Sequence, residues 1–219
     1  HEMRTPLAGV RAQAQLLTQE DLPPEPKESA LALMKGVDRA SHILDQLLDL
    51  ARVEALAIAG EPEFKQVRIT DVYQDVLHDL ALRIRRRQVS VTARLGDEQL
   101  HCHGFALSVL LRNLLANAIL YSPAGGRVEL VVIPGEQDVM LAVDDSGQGI
   151  PEAERERAFE RFNRLGRSQA DGVGLGLSIV LMVVELHRAR IQLTSSPLGG
   201  LRAQVHFPRE RGAPAAGYA

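Results

Sequence analysis

Three stretches of this chain carry residue types at spacings that chemistry could use. The first is HEMRTPL, residues 1–7, where a histidine stands beside a carboxylate and one helical turn before Thr5. A zinc-protease helix would need a second histidine where Thr5 stands, so that reading fails. What remains is an imidazole, His1, whose neighbour Glu2 can hold one ring nitrogen and leave the other nucleophilic. Alone, a helical His–Glu pair is most often surface decoration.

The second stretch is LRNLLANAILYSP, which puts Asn113 and Asn117 at i and i+4 on one helix face. Amide oxygens there are hard ligands of the kind Mg2+ accepts while it keeps waters and phosphate oxygens. The segment is otherwise apolar, and a polar pair buried in such company asks for a ligand. The third stretch is VDDSGQGIP with GVGLGLS some way beyond it. Asp145, at a strand end, can accept a hydrogen bond from an exocyclic amine, although an Asp-Ser-Gly turn is commonly just a turn. Gly147 and Gly149 let the backbone turn tightly and a flat base approach. Gly172, Gly174 and Gly176 open a helix whose free N–H groups and dipole suit a triphosphate. They do not make a dinucleotide fold, which needs a strand just before the glycines and an acidic residue about 20 positions on. Between these motifs lies FERFNR, where Phe159 and Phe162 read as core residues anchoring a loop.

Positioning these groups requires two kinds of architecture. Met3, Leu7, Val10, Ala14 and Leu17 recur at helical steps; Pro23, Pro24 and Pro26 then read as breakers inside a loop spanning Thr18–Ser29. Ala30, Leu33, Val37, Ala40, Leu44, Leu47 and Ala51 keep a 3-4 spacing, with Ile43, Leu48 and Leu50 widening the stripe. Two helices cannot satisfy so wide a face against each other, so a dimeric four-helix bundle is expected. Periodicity stops near Gly60. Beyond it, alternation at Val89–Leu95, Val128–Val132, Val139–Val143 and Leu201–Phe207 predicts strands of one sheet, with helices over about Asp71–Arg87, Phe105–Tyr121 and Gly174–His187. The expectation is an α+β two-layer sandwich after an all-α hairpin. Domains are expected at 1–58, 64–208, a linker at 59–63 and a loose tail at 209–219.

Composition removes several function classes. A net charge of −3 over 219 residues gives no electrostatic footprint for nucleic acid, and the absence of Trp argues against a base-stacking platform. The basic run Arg83–Arg87 reads as the solvated end of a helix. The single cysteine, Cys102, cannot form an intramolecular disulfide and fits a reducing cytosol. His101–Cys102–His103 lies on a strand that sends neighbours to opposite faces, and no second cluster supplies further ligands, so a metal site is not expected there. No run approaches the roughly 18 apolar residues of a membrane span; the longest, Leu177–Leu186, carries Glu185. A start at His1 reads as a cut from a longer chain.

Taken in order, the motifs resemble the cytoplasmic catalytic core of a two-component sensor histidine kinase. HEMRTPL resembles its phosphoacceptor box, LRNLLANAILY the N box, DDSGQGIP the first glycine box, FERF the F box and GVGLGLS the second glycine box. The likeness spans residue 1 to about Pro208 and implies a HisKA-type dimerisation and phosphotransfer bundle, then the ATP-binding GHKL fold shared with gyrase, Hsp90 and mismatch-repair ATPases. It implies that His1 is phosphorylated from Mg-ATP, that Glu2 polarises it, and that Thr5 orients water for dephosphorylating a response regulator. Asn117 would bind Mg2+, with Asn113 nearby at the triphosphate, Asp145 would recognise adenine, and Tyr121 would pack near the base. Gly147, Gly149, Ile150, Phe162, Leu175 and Leu177 would complete the nucleotide pocket, Gly172–Gly176 would hold phosphates, and Asn163–Asp171 would form a mobile lid presenting Arg164 and Arg167. The implied partners are a second copy of the chain and the receiver domain of a response regulator, and the implied location is the cytoplasmic side of a bacterial inner membrane.

Three departures accompany the likeness. Leu120 stands where Lys or Arg is common, His103 where Asp is common before the N-box helix, and His187 matches a residue that closes a helix; the latter two read as structural. Superfamily hydrolases carry a Glu at the position of Asn113, and an Asn cannot take a proton from water, so slow hydrolysis is expected. A GHKL ATPase and a degenerate nucleotide-binding scaffold are the alternatives.

Overall fold

Helical spacing gives the chain its first two elements, α1 (Arg4–Gln19) and α2 (Pro24–Ile58), in a computed structural model that describes residues 4–19, 24–59, 63–163, 165 and 174–209. Here the breaker reading of the prolines needs correction. Pro24 and Pro26 both lie in the first turn of α2, where the backbone N–H that proline lacks has no partner to lose. The helix therefore starts well before Ser29.

The chain divides into two compact units, His1–Leu50 and Ala51–Ala219. In the first, α1 and most of α2 carry an ion pair between them, Arg11 Nε to Asp38 Oδ1 at 2.7 Å. Ala14, Ala30, Val37 and Leu50 are buried, whereas Leu33 and Leu47, from the same 3-4 stripe, remain 49% and 43% exposed. A single copy of the chain thus leaves part of its apolar stripe uncovered.

The second unit begins on the last turns of α2, where Glu54 pairs with Arg161 at 2.9 Å and Arg52 lies over the Phe105 ring. Its remaining elements are β1 (Lys65–Arg68), α3 (Ile69–Arg87), β2 (Ser90–Arg94), β3 (Gln99–Cys102), α4 (Gly104–Tyr121), β4 (Arg127–Pro134), β5 (Asp138–Asp145), α5 (Gly176–Leu186), β6 (Arg190–Ser195) and β7 (Leu201–Pro208). Five strands form one sheet in the order β2-β4-β5-β7-β6, parallel only at β2-β4. All four strands expected in this sheet lie in it; β6 and β1 were not expected, and β3, the strand under His101–Cys102, pairs with β1 in a separate antiparallel ribbon.

Register explains the burial. Leu130, Val143 and Ala203 align across β4, β5 and β7, as do Val132, Leu141 and Val205, and all are buried. The alternate row holds Glu129, Asp144 and Arg202. Against the apolar face lie α4 and α5, and α3 packs on α4. Arg85, Arg86 and Arg87 end α3 exposed, where cations favour a helix C-terminus. α4 has the length and hydropathy of a bilayer span, but it is a core helix: Leu107, Leu110, Leu111 and Leu115 on it are wholly buried.

Candidate functional site

The site is built on α4. Its N-terminus is capped by His103, whose Nδ1 accepts from the Ala106 amide at 3.4 Å, so the histidine does the capping that a short acidic side chain does elsewhere. Asn113 is 7% exposed, and its Nδ2 donates to the Val109 carbonyl at 2.8 Å. Asn117, one turn on, is half-buried.

Facing these amides is the first residue of α5. A Cβ on Gly176 would stand 3.1 Å from Asn117 Nδ2, 3.3 Å from Asn113 Oδ1 and 3.4 Å from Asn117 Oδ1. A side chain here would crowd both amides, which would have to give by a few tenths of an ångström. The N-cap, Leu175, supplies no side-chain bond, so the first N–H groups of α5 stay available to an anion. Just before it, Gly174 has φ +79, a conformation glycine adopts freely, and its carbonyl accepts from Phe162 N at 2.9 Å.

A second cluster lies at the end of β5. Asp145, 6% exposed, accepts at Oδ1 from the amides of Gly147 at 2.8 Å and Leu201 at 3.1 Å, and its carbonyl accepts from Gly200 N at 3.1 Å. Gly147 also abuts the end of α4, since a Cβ there would lie 2.5 Å from the Tyr121 carbonyl oxygen. Gly149 has φ +67 and passes the Gly200 backbone. Ile150 is buried, and Arg155 bonds its carbonyl at 3.2 Å and Ser195 Oγ at 3.2 Å, tying this loop to β6.

The structure therefore brings Gly176 to Asn113 and Asn117, and Gly147 with Asp145 to Tyr121, along the C-terminal half of α4, while Gly149 and Ile150 follow in the loop after Gly147, and Gly174, Leu175 and Leu177 flank Gly176 in the chain. Phe162 differs from expectation. It is 63% exposed with φ +62, so it is not a core anchor; buried Ala158 and half-buried Phe159 take that role. His1, Glu2, Arg164, Arg167 and Gly172 lie outside the described residues, and of Thr5 only the backbone, within α1, is described.

His187 closes α5, as its sequence match implies, but its bond to the start of α4 had no reading in the sequence, nor did the Asp145 contacts before β7 or the pairing of Asp144. His187 is buried, with Nδ1 2.7 Å from the Val183 carbonyl and Nε2 accepting from the His103 amide at 3.1 Å, so it joins α5 to the start of α4. The turn before β7 supplies two of the amides on Asp145. Asp144, 0% exposed, is held by Arg202 through bonds of 2.9 and 2.7 Å. That pairing raises the Arg202 pKa above its ordinary value, chiefly through the hydrogen bonds to Asp144. At the HCH stretch, burial pushes the Cys102 thiol up to about 12, and among the described residues no group of three or more His, Cys, Asp or Glu could hold a metal.

Comparison with known proteins gives this geometry a family. Residues 103–211 match the model of the histidine kinase-, DNA gyrase B- and HSP90-like ATPases, and residues 1–56 that of the His Kinase A (phospho-acceptor) domain. The sensor protein kinase PmrB of Pseudomonas aeruginosa is 35% identical over 95% of this chain, and the sensor protein QseC of Escherichia coli 32% over 94%. The chain spans 44% and 45% of those two proteins, so about half of each has no counterpart here. Among solved structures, full-length ShkA in complex with AMPPNP superposes with a TM-score of 0.69 at 26% identity, covering 98% of this chain and 45% of that one. The ATP-binding domain of PrrB from Mycobacterium tuberculosis is 30% identical, with a TM-score of 0.55, over 67% of this chain and 98% of that one. With both domain models in order and Gly147 and Gly176 set against the Asn-bearing helix, the chain belongs to the sensor histidine kinases.

Proposed function

We propose that this chain is the catalytic core of a sensor kinase that phosphorylates His1 from Mg-ATP and passes the phosphoryl group to an aspartate of a response-regulator receiver domain. The supporting observation is the seat of Gly176 on the amides of Asn113 and Asn117: a cradle that a Cβ would fill, with uncapped amides beside hard oxygen ligands. These residues suit a magnesium triphosphate. Asn117 would hold Mg2+, whose part is to neutralise charge on the phosphate oxygens. Asn113 and the N–H groups opening α5 would bind phosphates, with Arg164 adding a cation. Asp145, its Oδ1 already fixed by two amides, would accept from the adenine amine, beside Tyr121, Gly147, Gly149, Ile150, Leu175 and Leu177.

In the transfer, a ring nitrogen of His1 forms a bond to the γ-phosphorus as the bond to the β–γ bridging oxygen breaks. Glu2 holds the other nitrogen and stabilises the charge that develops on the ring. His1 and the pocket near Asn117 would belong to different domains, which we place at 1–58 and 64–208 about a linker at 59–63. Thr5 would orient water for the reverse task, dephosphorylating the regulator. The uncovered Leu33 and Leu47 favour a homodimeric four-helix bundle, and the sensor names of the bacterial relatives, each about twice the length of this chain, favour the cytoplasmic part of an inner-membrane sensor.

The test is incubation with Mg-ATP labelled on the γ-phosphate. Acid-labile, base-stable label that is absent from His1→Ala supports the kinase. Steady phosphate release without labelled protein supports an ATPase and overturns the proposal.

A further inference from the structure

We propose that the Asp144–Arg202 ion pair positions the base-reading carboxylate, Asp145, from the opposite face of the sheet. This rests on the reading of Asp145 as the acceptor of the adenine amine.

Adjacent residues of a strand point to opposite faces, so Asp144 and Asp145 leave β5 on opposite sides. Asp145 goes toward α4. Asp144 goes to the other face, wholly buried, where an ionised carboxylate is costly unless paired and hydrogen-bonded. Its partner is bidentate: Arg202 Nε reaches Oδ1 at 2.9 Å and Nη2 reaches Oδ2 at 2.7 Å. Arg202 lies directly across the β5-β7 register, and in the same row Glu129 adds a second negative charge, itself held by Arg94 at 2.9 Å.

What Arg202 secures is the first residue pair of β7. Immediately upstream, Leu201 N donates to Asp145 Oδ1 and Gly200 N to the Asp145 carbonyl. Gly200 is pressed so closely on the Asp145 carboxylate that any Cβ there would overlap it. Before it, Gly199 has φ +100, and the bonds that close this turn, Ser196 N to the Gly200 carbonyl at 2.9 Å and Gly199 N to the Ser196 carbonyl at 3.0 Å, do not reach β5. From the β7 side, the guanidinium is the side chain that adds to these amide bonds in pinning the strand start to the end of β5. Without it, the Leu201 amide drifts, and the Asp145 carboxylate loses a donor that sets its plane.

The readout is selectivity for the exocyclic amine. Calorimetry on the chain compares Mg-ATP with Mg-purine riboside triphosphate, which lacks only that amine. Arg202→Met should weaken ATP about tenfold while changing the amine-free nucleotide less than about twofold. Arg202→Lys keeps the charge but loses the fork, and should fall between the two; it also covers the case in which Arg202→Met does not fold. Equal weakening of both nucleotides, or no change in their ratio in either variant, overturns the positioning role while leaving Asp145 as base reader. If the native chain shows no preference for ATP over the amine-free nucleotide, the reading of Asp145 fails, and this inference with it.

Discussion

Replacing Gly147 with alanine tests how the base end of the site is joined to α4. Gly147 is not among the residues with positive φ, so alanine incurs no backbone penalty there and the whole effect comes from contact. The new Cβ would stand 2.5 Å from the Tyr121 carbonyl oxygen, against an ordinary contact of 3.4 Å or more, and 3.0 Å from Asp145 Oδ1. Nearly an ångström must be found by moving backbone, and such overpacking costs about 1–3 kcal/mol. The movement also stretches the Gly147 amide bond to the Asp145 carboxylate, 2.8 Å long, and a bond to a charged group contributes about 1.5–3 kcal/mol. A combined loss of about 3 kcal/mol lowers Tm by roughly 6–12 °C for a unit of this size. Because Asp145 is displaced as well, Mg-ATP should bind at least about tenfold more weakly, measured by calorimetry well below the lowered Tm. Gly125→Ala is the control: with φ +77 and nothing within 4 Å it is strained by about 1–3 kcal/mol but should leave nucleotide affinity unchanged. Native Tm and affinity in Gly147→Ala would refute the contact argument; a lowered Tm with native affinity would refute the link to Asp145.

Two further outcomes concern groups away from the nucleotide. His187→Phe keeps a ring between Phe64 and Phe207 but leaves the part-buried His103 amide without its acceptor, a cost of about 1 kcal/mol that chemical denaturation will show as a lower midpoint. The Cys102 thiol, raised by burial from 9.0 to about 12, favours the folded state fully below the unfolded value, and that contribution fades as pH rises from 9.0 toward 12. Stability measured from about pH 8 to about pH 11 should therefore fall less steeply in Cys102→Ala than in the native chain, with the raised Tyr73 accounting for part of the slope that remains.

The site was legible where chemistry is set by residue type over a few positions. Asn113 with Asn117, Asp145 with Gly147, and Gly174 with Gly176 each announce themselves locally, and the helices bearing them fall within two residues of the expected bounds. What escaped depended on partners far along the chain. Phe162 reads as core because it is apolar; its exposure follows from a left-handed backbone whose amide bonds the Gly174 carbonyl twelve residues later. β1 is short and mostly exposed, so it offers no alternation to detect, and β3 matters chiefly as its partner. The prolines opening α2 misled because a breaker inside a helix is harmless in its first turn. His187 bonds an amide 84 residues away and Arg202 a carboxylate 58 away, separations at which no local pattern survives.

These long-range bonds and the local motifs meet in one mechanical arrangement. α4 and α5 are antiparallel, and they are tied at both ends. At one end Gly176 rests on Asn113 and Asn117; at the other, His187 accepts from the His103 amide where α4 begins. Two helices fixed at a single end can pivot, and a pivot of a few degrees over some 15 Å of helix would move the α5 amides by about an ångström from the amide oxygens they face. The second tie removes that freedom. It follows that His187→Phe should weaken nucleotide binding by way of the phosphate end, with equal loss for ATP and for its amine-free analogue, whereas Arg202→Met should alter their ratio. If His187→Phe shifted that ratio instead, the helices would not be the element that carries the effect.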